Sequence, residues 1–270
     1  MLSLNLRKFL ISPRFLHRLM ATNSGKKFIR IDISSDTVCP WCFVGKKNLD
    51  KAIALTSDQY DFEIKWHPFL LNPSAPKEGI NKKDYYRNKF GSRSEQMMSR
   101  MSEVFKGLGL EYNMSGLTGS SLDSHRLLYF AGQQGLDKQN NLAEELFLGY
   151  FTQGRYIGDR EFLIEAARKV GIEGAADFLE DPNNGLKEGG GVGSICWKTA
   201  KDTVNYVELL LDRINFVGFG YVKVNEELQQ HSSNISGVPH FVLNGKYQLS
   251  GGQPPESFIQ AFQAASNVTA

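Results

Sequence analysis

Cysteine is scarce in this chain, with three in 270 residues, at positions 39, 42 and 196. A secreted fold held together by disulfides needs more, so the scarcity points to a reducing, intracellular setting. Long apolar runs are also absent. No stretch approaches the ~20 consecutive apolar residues of a membrane span, although 41% of the chain is apolar and a sizeable core is within reach. Basic residues are scattered and the formal net charge is only +2, which leaves no stripe for a nucleic acid or another polyanion. The histidines, at 17, 67, 125, 231 and 240, include no two within five positions of each other, so a zinc site built on one CxxC lacks its other ligands. Acidic residues are missing from the first 31 positions, where Arg7, Lys8, Arg14 and Arg18 interleave with Leu2, Leu4, Phe9 and Leu16. Residues 1–26 are therefore expected to be a disordered leader addressed to a mitochondrion or plastid; without that role, and with Met20 as another start, the protein is expected in the cytoplasm.

What the chain does carry is concentrated in residues 35–44, SDTVCPWCFV. Residues 28–33 alternate as a half-buried strand does, and Cys42, Leu49 and Ile53 share a helical face, so the cysteines stand at a strand-to-helix junction. The first turn of a helix offers unpaired N–H groups and a positive dipole end, which favour thiolate over thiol. Pro40 suits the first helical position, where its missing N–H would have had no partner. Cys42 follows Cys39 by about one turn, near enough to close a small ring. The expected chemistry is exchange: Cys39 attacks or is attacked, a mixed disulfide forms, and Cys42 resolves it. A purely structural disulfide is a poor alternative, since so short a loop restrains little of the unfolded chain.

Residues 60–69 alternate with aromatic and β-branched side chains and predict a second strand that ends at Pro68. From Asn81 to about Gly171 the period becomes helical, with four apolar stripes centred on Met101 and Phe105, Leu127 and Leu128, Leu146 and Phe147, and Phe162 and Leu163. Ser120 with Asp123 reads as a capping box opening the second of these helices. Met97, Met98 and Met101 read as ordinary core or as an adaptable groove for polypeptides. His125, within SLDSHRLL, either faces the cysteines or makes a polar contact of its own. Near the C-terminus, residues 238–243 and 246–250 flank Asn244 and Gly245, a strong hairpin signal. Pro254 and Pro255 then open a last helix that buries Phe258, Ile259 and Phe262.

A strand, a CPWC pair opening a helix, a second strand, a helical block and a Gly-Val-Pro-led hairpin with a closing helix together resemble the DsbA-like thioredoxin-fold oxidoreductases, and among them the FrnE-type subgroup. The resemblance covers residues 28–186 and 224–266 and rests on VCPWC, SLDSHRLL, GYFTQGRYIGD and SGVPHFVLNGKYQLSGGQPPESF. It implies an α/β, thioredoxin-like domain formed by residues 27–75 and 224–270, interrupted by an all-helical subdomain at 76–187 that covers the redox site. It also implies that Cys39 is the nucleophile paired with Cys42, and that Pro239 is a cis-proline beside them, leaving the backbone of Val238 open to a substrate strand. Trp41 joins Val238 and Pro239 as an expected substrate-binding residue. His240 is expected close to the sulfurs as a hydrogen-bond donor or proton shuttle. The expected substrate is a disulfide or thiol, on a protein or a small molecule, with no metal, no organic cofactor, and glutathione at most as an external thiol. Direction and oligomeric state stay open, because known redox pairs span about −270 to −120 mV and Pro-Trp fixes no place in that range.

Two other readings compete. Kappa-type glutathione transferases and 2-hydroxychromene-2-carboxylate isomerases share the inserted helices but are similar in carrying a serine at the first cysteine position; Cys39 and Cys42 argue against them. A chaperone-like binding module would use Trp41 and the methionine stripe as apolar surface, and would keep its activity in a Cys39→Ala variant. Residues 188–223 match nothing in the family. They begin Gly-rich and continue in apolar runs without amphipathic order, and read as about 35 extra residues, either a surface excursion or retained noncoding sequence. Cys196 lies inside them and is assigned no catalytic role.

Overall fold

The computed structural model describes residues 25–180 and 219–267. Most of the leader at 1–26, Cys196, and most of the extra segment at 188–223 lie outside the described residues.

Strand β1 (Lys27–Ser35) leads into helix α1 (Pro40–Leu55), which crosses back to β2 (Tyr60–Pro68). The two strands pair in parallel, from Lys27 opposite Tyr60 to Ser35 opposite Pro68, and a parallel pair needs such a crossover. Between β2 and the C-terminal hairpin lie β3 (Ile80–Asn81), α2 (Lys82–Phe90), α3 (Ser94–Gly107), β4 (Leu117–Thr118), α4 (Leu122–Gln134), α5 (Leu136–Thr152), α6 (Arg160–Lys169) and α7 (Ala175–Glu180), with α8 (Phe219–Ser232) leading into the hairpin. Strands β5 (His240–Leu243) and β6 (Tyr247–Ser250) complete a sheet of order β2-β1-β5-β6, and α9 (Pro255–Ser266) closes the chain. This is an α/β thioredoxin-like fold with helices inserted between strands. The hairpin turn falls where the sequence puts it, with φ of 49° at Asn244 and 70° at Gly245, its two central residues, and the Lys246 N–H closing it on the Leu243 carbonyl at 3.1 Å; Leu243 pairs with Tyr247 across it.

The four apolar stripes land on α3, α4, α5 and α6. Two details differ from expectation. The insertion is not helical throughout, because β3 and β4 pair antiparallel over two residues each, too few to leave a period in the sequence. Helix α4 begins after Ser121 rather than Ser120, and Asp123 pairs forward with Arg126 at 2.7 Å instead of back to the cap. A guanidinium one turn ahead is a stronger partner for a carboxylate than a backbone N–H. The methionine stripe divides: Met101 is in the core and Met97 is exposed.

Alternation along β1 gives the sheet two unlike faces. Ile29, Ile31 and Ile33 are fully buried, and on the same face Phe241 meets Phe258 of α9 edge-on at 4.8 Å. Arg30, Asp32 and Ser34 point the other way, in register with Glu63, Lys65 and His67. Helix α8 lies over this polar face, where Glu227 accepts from Lys65 at 3.1 Å and the His231 carbonyl accepts from the Ser34 hydroxyl at 3.3 Å. The outer edge of β2 is closed at Trp66 by a side chain: Gln139 of α5 accepts from its N–H at 2.9 Å and donates to its carbonyl at 3.2 Å, so that stretch offers no free edge to another strand.

Candidate active site

The cysteine pair sits where β1 ends and α1 begins. Cys39 is the N-cap residue, extended at φ −92° and ψ 113°, and Pro40 is the first helical residue. A tight turn precedes it, closed by the Cys39 N–H on the Asp36 carbonyl at 3.0 Å. Both sulfurs are free thiols, and their surroundings differ. Cys39 keeps 5% of its surface exposed and Cys42 only 1%, so Cys39 is the more accessible of the two. The Cys42 thiol donates to the Cys39 sulfur and, with the backbone N–H groups of Cys42 and Trp41, holds Cys39 below the ordinary thiol range against burial and the Asp36 charge. Burial, and then the Cys39 sulfur, push the Cys42 thiol well up. The two thiols are thus unlike, one at a helix start with its pKa lowered and the other buried behind it with its pKa raised.

The residues singled out in the sequence gather unevenly. Val238–Pro239 is a cis peptide, and the Val238 carbonyl lies 3.7 Å from the Cys39 sulfur. Gly45 lets the proline loop approach α1: a Cβ there would lie 3.1 Å from the Pro239 ring and 3.0 Å from the Phe241 ring. Trp41 is 37% exposed and packs over Gly252. His125 reaches the site indirectly, with its Nε2 3.4 Å from a carboxylate oxygen of Asp36. His240 follows the cis-proline, but its Nδ1 is taken by the Ser250 hydroxyl at 2.9 Å, so its hydrogen bond runs along the sheet to β6, and burial lowers its pKa.

Several neighbours carried no signal of their own. Asp36 is fully buried and accepts from the Leu71 N–H at 2.8 Å, tying the exit of β2 to the cysteine turn. Thr37 and Ser124 share a 2.8 Å hydrogen bond that pins α4 to the same turn. From the insertion, Tyr86 and Tyr112 lie near one another and near Cys39, and burial pushes Tyr86 up to about 12 and Tyr112 further. Lys82 is 2% exposed, donates to the Tyr150 carbonyl, and is brought down to about 8 by burial. The sequence hint for Asp36 was its place within the cysteine stretch; for Lys82 and Tyr86 there was none, since α2 shows no apolar stripe, nor for Tyr112, which lies in a loop. Among the described residues, no cluster of three or more His, Cys, Asp or Glu is placed to hold a metal ion.

Residues 30–187 match the DSBA-like thioredoxin domain, more than half of the chain. The chain belongs to that family. The Bacillus subtilis protein YwbO, itself uncharacterised, is 28% identical over 148 residues, covering 55% of this chain and 69% of its own. A probable DsbA oxidoreductase from Streptomyces coelicolor superposes with a TM-score of 0.65 at 27% identity, covering 90% of this chain and 92% of that one. A candidate protein disulfide isomerase from Nitrosomonas europaea, at 12% identity and a TM-score of 0.53 over 88% of this chain and 97% of its own, shares the fold. The family is one of thioredoxin-fold oxidoreductases, and membership of it implies thiol or disulfide substrates. No described helix is long and apolar enough to cross a membrane.

Proposed function

We propose that the protein is a thiol–disulfide oxidoreductase of the FrnE-type subgroup that works through the CPWC pair, with Cys39 as nucleophile and Cys42 as resolving thiol. The observation that carries this reading is the asymmetry of the pair: Cys39 caps a helix with its thiol pKa lowered, and Cys42 is buried behind it with its pKa raised. Cys39 attacks a substrate disulfide and the substrate's first thiolate leaves. Cys42 then attacks the Cys39 sulfur, the second substrate sulfur departs, and an external thiol such as glutathione restores the dithiol. Val238 and Pro239 border the attacking sulfur, and Trp41 offers apolar surface beside it. These groups suit either an extended polypeptide or a small disulfide.

A Cys42→Ser variant tests this reading. It is expected to accumulate a mixed disulfide at Cys39 when mixed with a disulfide substrate, seen by mass spectrometry, while Cys39→Ser accumulates none and loses turnover. Undiminished activity in Cys39→Ser would overturn the exchange mechanism and bring forward glutathione transfer or simple binding.

A further inference from the structure

The turn that delivers Cys39 carries a buried charge. Residues 36–39 form a β-turn closed by the Cys39 N–H on the Asp36 carbonyl at 3.0 Å, a geometry that keeps the two α-carbons within about 7 Å of each other. The Asp36 side chain folds back over the same turn. Its Oδ1 accepts from the Val38 N–H at 3.3 Å and its Oδ2 from the Leu71 N–H at 2.8 Å. The side chain is 1% exposed, so water screens little of its field. A carboxylate held so close to Cys39 works against a thiolate there, and the Asp36 charge does oppose the influences that lower the Cys39 thiol.

A third polar group faces this carboxylate. His125 Nε2 lies 3.4 Å from Asp36 Oδ1, its side chain is 2% exposed, and the nitrogen makes no hydrogen bond elsewhere. Since an ionised carboxylate only accepts, the favourable tautomer puts hydrogen on Nε2. The docking of α4 aims the ring: adjacent residues of the helix meet adjacent residues of the turn, Ser124 on Thr37 at 2.8 Å and His125 on Asp36. The other titratable groups around His125 are engaged with partners of their own or stand further along the wall of a small cavity. His67 bonds Asp32, Glu227 accepts from Lys65, Asp123 pairs with Arg126 on α4 itself, and Tyr129 lines the cavity beside them. Around Cys39 they are Cys42, Tyr86 and Tyr112.

We propose that His125 is a positioning residue for Cys39 that acts through Asp36: its Nε2–H holds the carboxylate from the α4 side and draws off part of the negative charge that bears on the Cys39 sulfur. This role rests on the exchange mechanism above and deepens it. Its consequence is a larger share of Cys39 in the attacking thiolate form near neutral pH. Helix α4 belongs to the insertion, so the insertion tunes the nucleophile at one remove.

The test is the rate of Cys39 alkylation by iodoacetamide as a function of pH, on the full reduced chain carrying Cys196→Ser, with the modified residue located by mass spectrometry. Alkylation needs no disulfide, so its midpoint reports the Cys39 thiolate whether or not the pair exchanges with a substrate. His125→Leu is expected to raise the midpoint by about one pH unit, the low end of what a neighbouring charge does. His125→Gln, whose amide can still donate, is expected to restore the parent value. Asp36→Asn is expected to lower the midpoint, and in that background His125→Leu is expected to change nothing, because the charge it acts through is gone. A parent midpoint in His125→Leu, an equal rise in the Asp36→Asn background, or a midpoint that Asp36→Asn fails to lower would each overturn the role of His125 while leaving exchange standing. Midpoints that move as expected in a protein whose Cys42→Ser variant traps no substrate would instead sink the exchange reading alone.

Discussion

The two faces of the central sheet are built from alternate residues of the same strands, yet they are held by different physics. Ile29, Ile31 and Ile33 on one face are fully buried and interlock with aromatic rings; nothing there ionises, so its contribution comes from area removed from water and from close packing. On the other face burial alone would drive Asp32 and Glu227 toward protonation, but the His67 ring, bonded to Asp32 and 3.4 Å from Glu227, with Arg30 on Asp32 and Lys65 on Glu227, holds both carboxylates below their ordinary range. Burial likewise opposes the His67 charge, and the Asp32 and Glu227 carboxylates outweigh it, so its pKa is raised. One face depends on packing and is indifferent to pH; the other carries charges and depends on pH.

The largest effect that separates them is expected from Ile31→Ala, which should destabilise by about 2–5 kcal/mol through lost transfer energy and a cavity. Denaturant unfolding should give the same loss at every pH between 5 and 9. Glu227→Gln should cost less, about 1–3 kcal/mol, the scale of hydrogen bonds to charged groups, and its cost should vary with pH. Lowered carboxylate pKa values stabilise the folded state above the unfolded carboxylate pKa and lose that effect as pH falls; the raised pKa of His67 stabilises below the unfolded histidine pKa and loses it as pH rises through the folded value. The Glu227→Gln deficit should therefore peak near pH 5–6, between the unfolded carboxylate and histidine values of about 4 and 6.5. A flat profile in repeated denaturant titrations would show that the polar face contributes packing alone. Arg30→Ala should be smallest, under about 1 kcal/mol, because Arg30 is half-exposed and such pairs are weakened by solvent; melting in high salt should erase the difference.

That contrast also explains what could be read from the sequence. Features set by neighbours along the chain were legible: the cysteines at a strand-to-helix junction, the turn at Asn244 and Gly245, the four stripes that became α3 to α6. The polar face was not. Arg30, Asp32, Glu63 and Lys65 alternate with apolar residues in the manner of a solvent-facing strand side, and nothing local says that Glu227, 162 positions after Lys65, will be laid over them. His125 and Asp36 are likewise joined only by the docking of α4. His240 shows the limit from the other direction: adjacency to Pro239 suggested a sulfur contact, while the period of the strand and the register with Ser250 give its ring a partner on β6.

The Val238 carbonyl that lies beside Cys39 comes from a residue 199 positions later in the chain. At about 5–20 residues per second of synthesis, roughly 10–40 s separate the making of the two. Over that interval the nascent protein carries both cysteines ahead of the loop that will flank them. The newborn chain thus presents to passing thiols and disulfides a pair that the finished fold has yet to enclose.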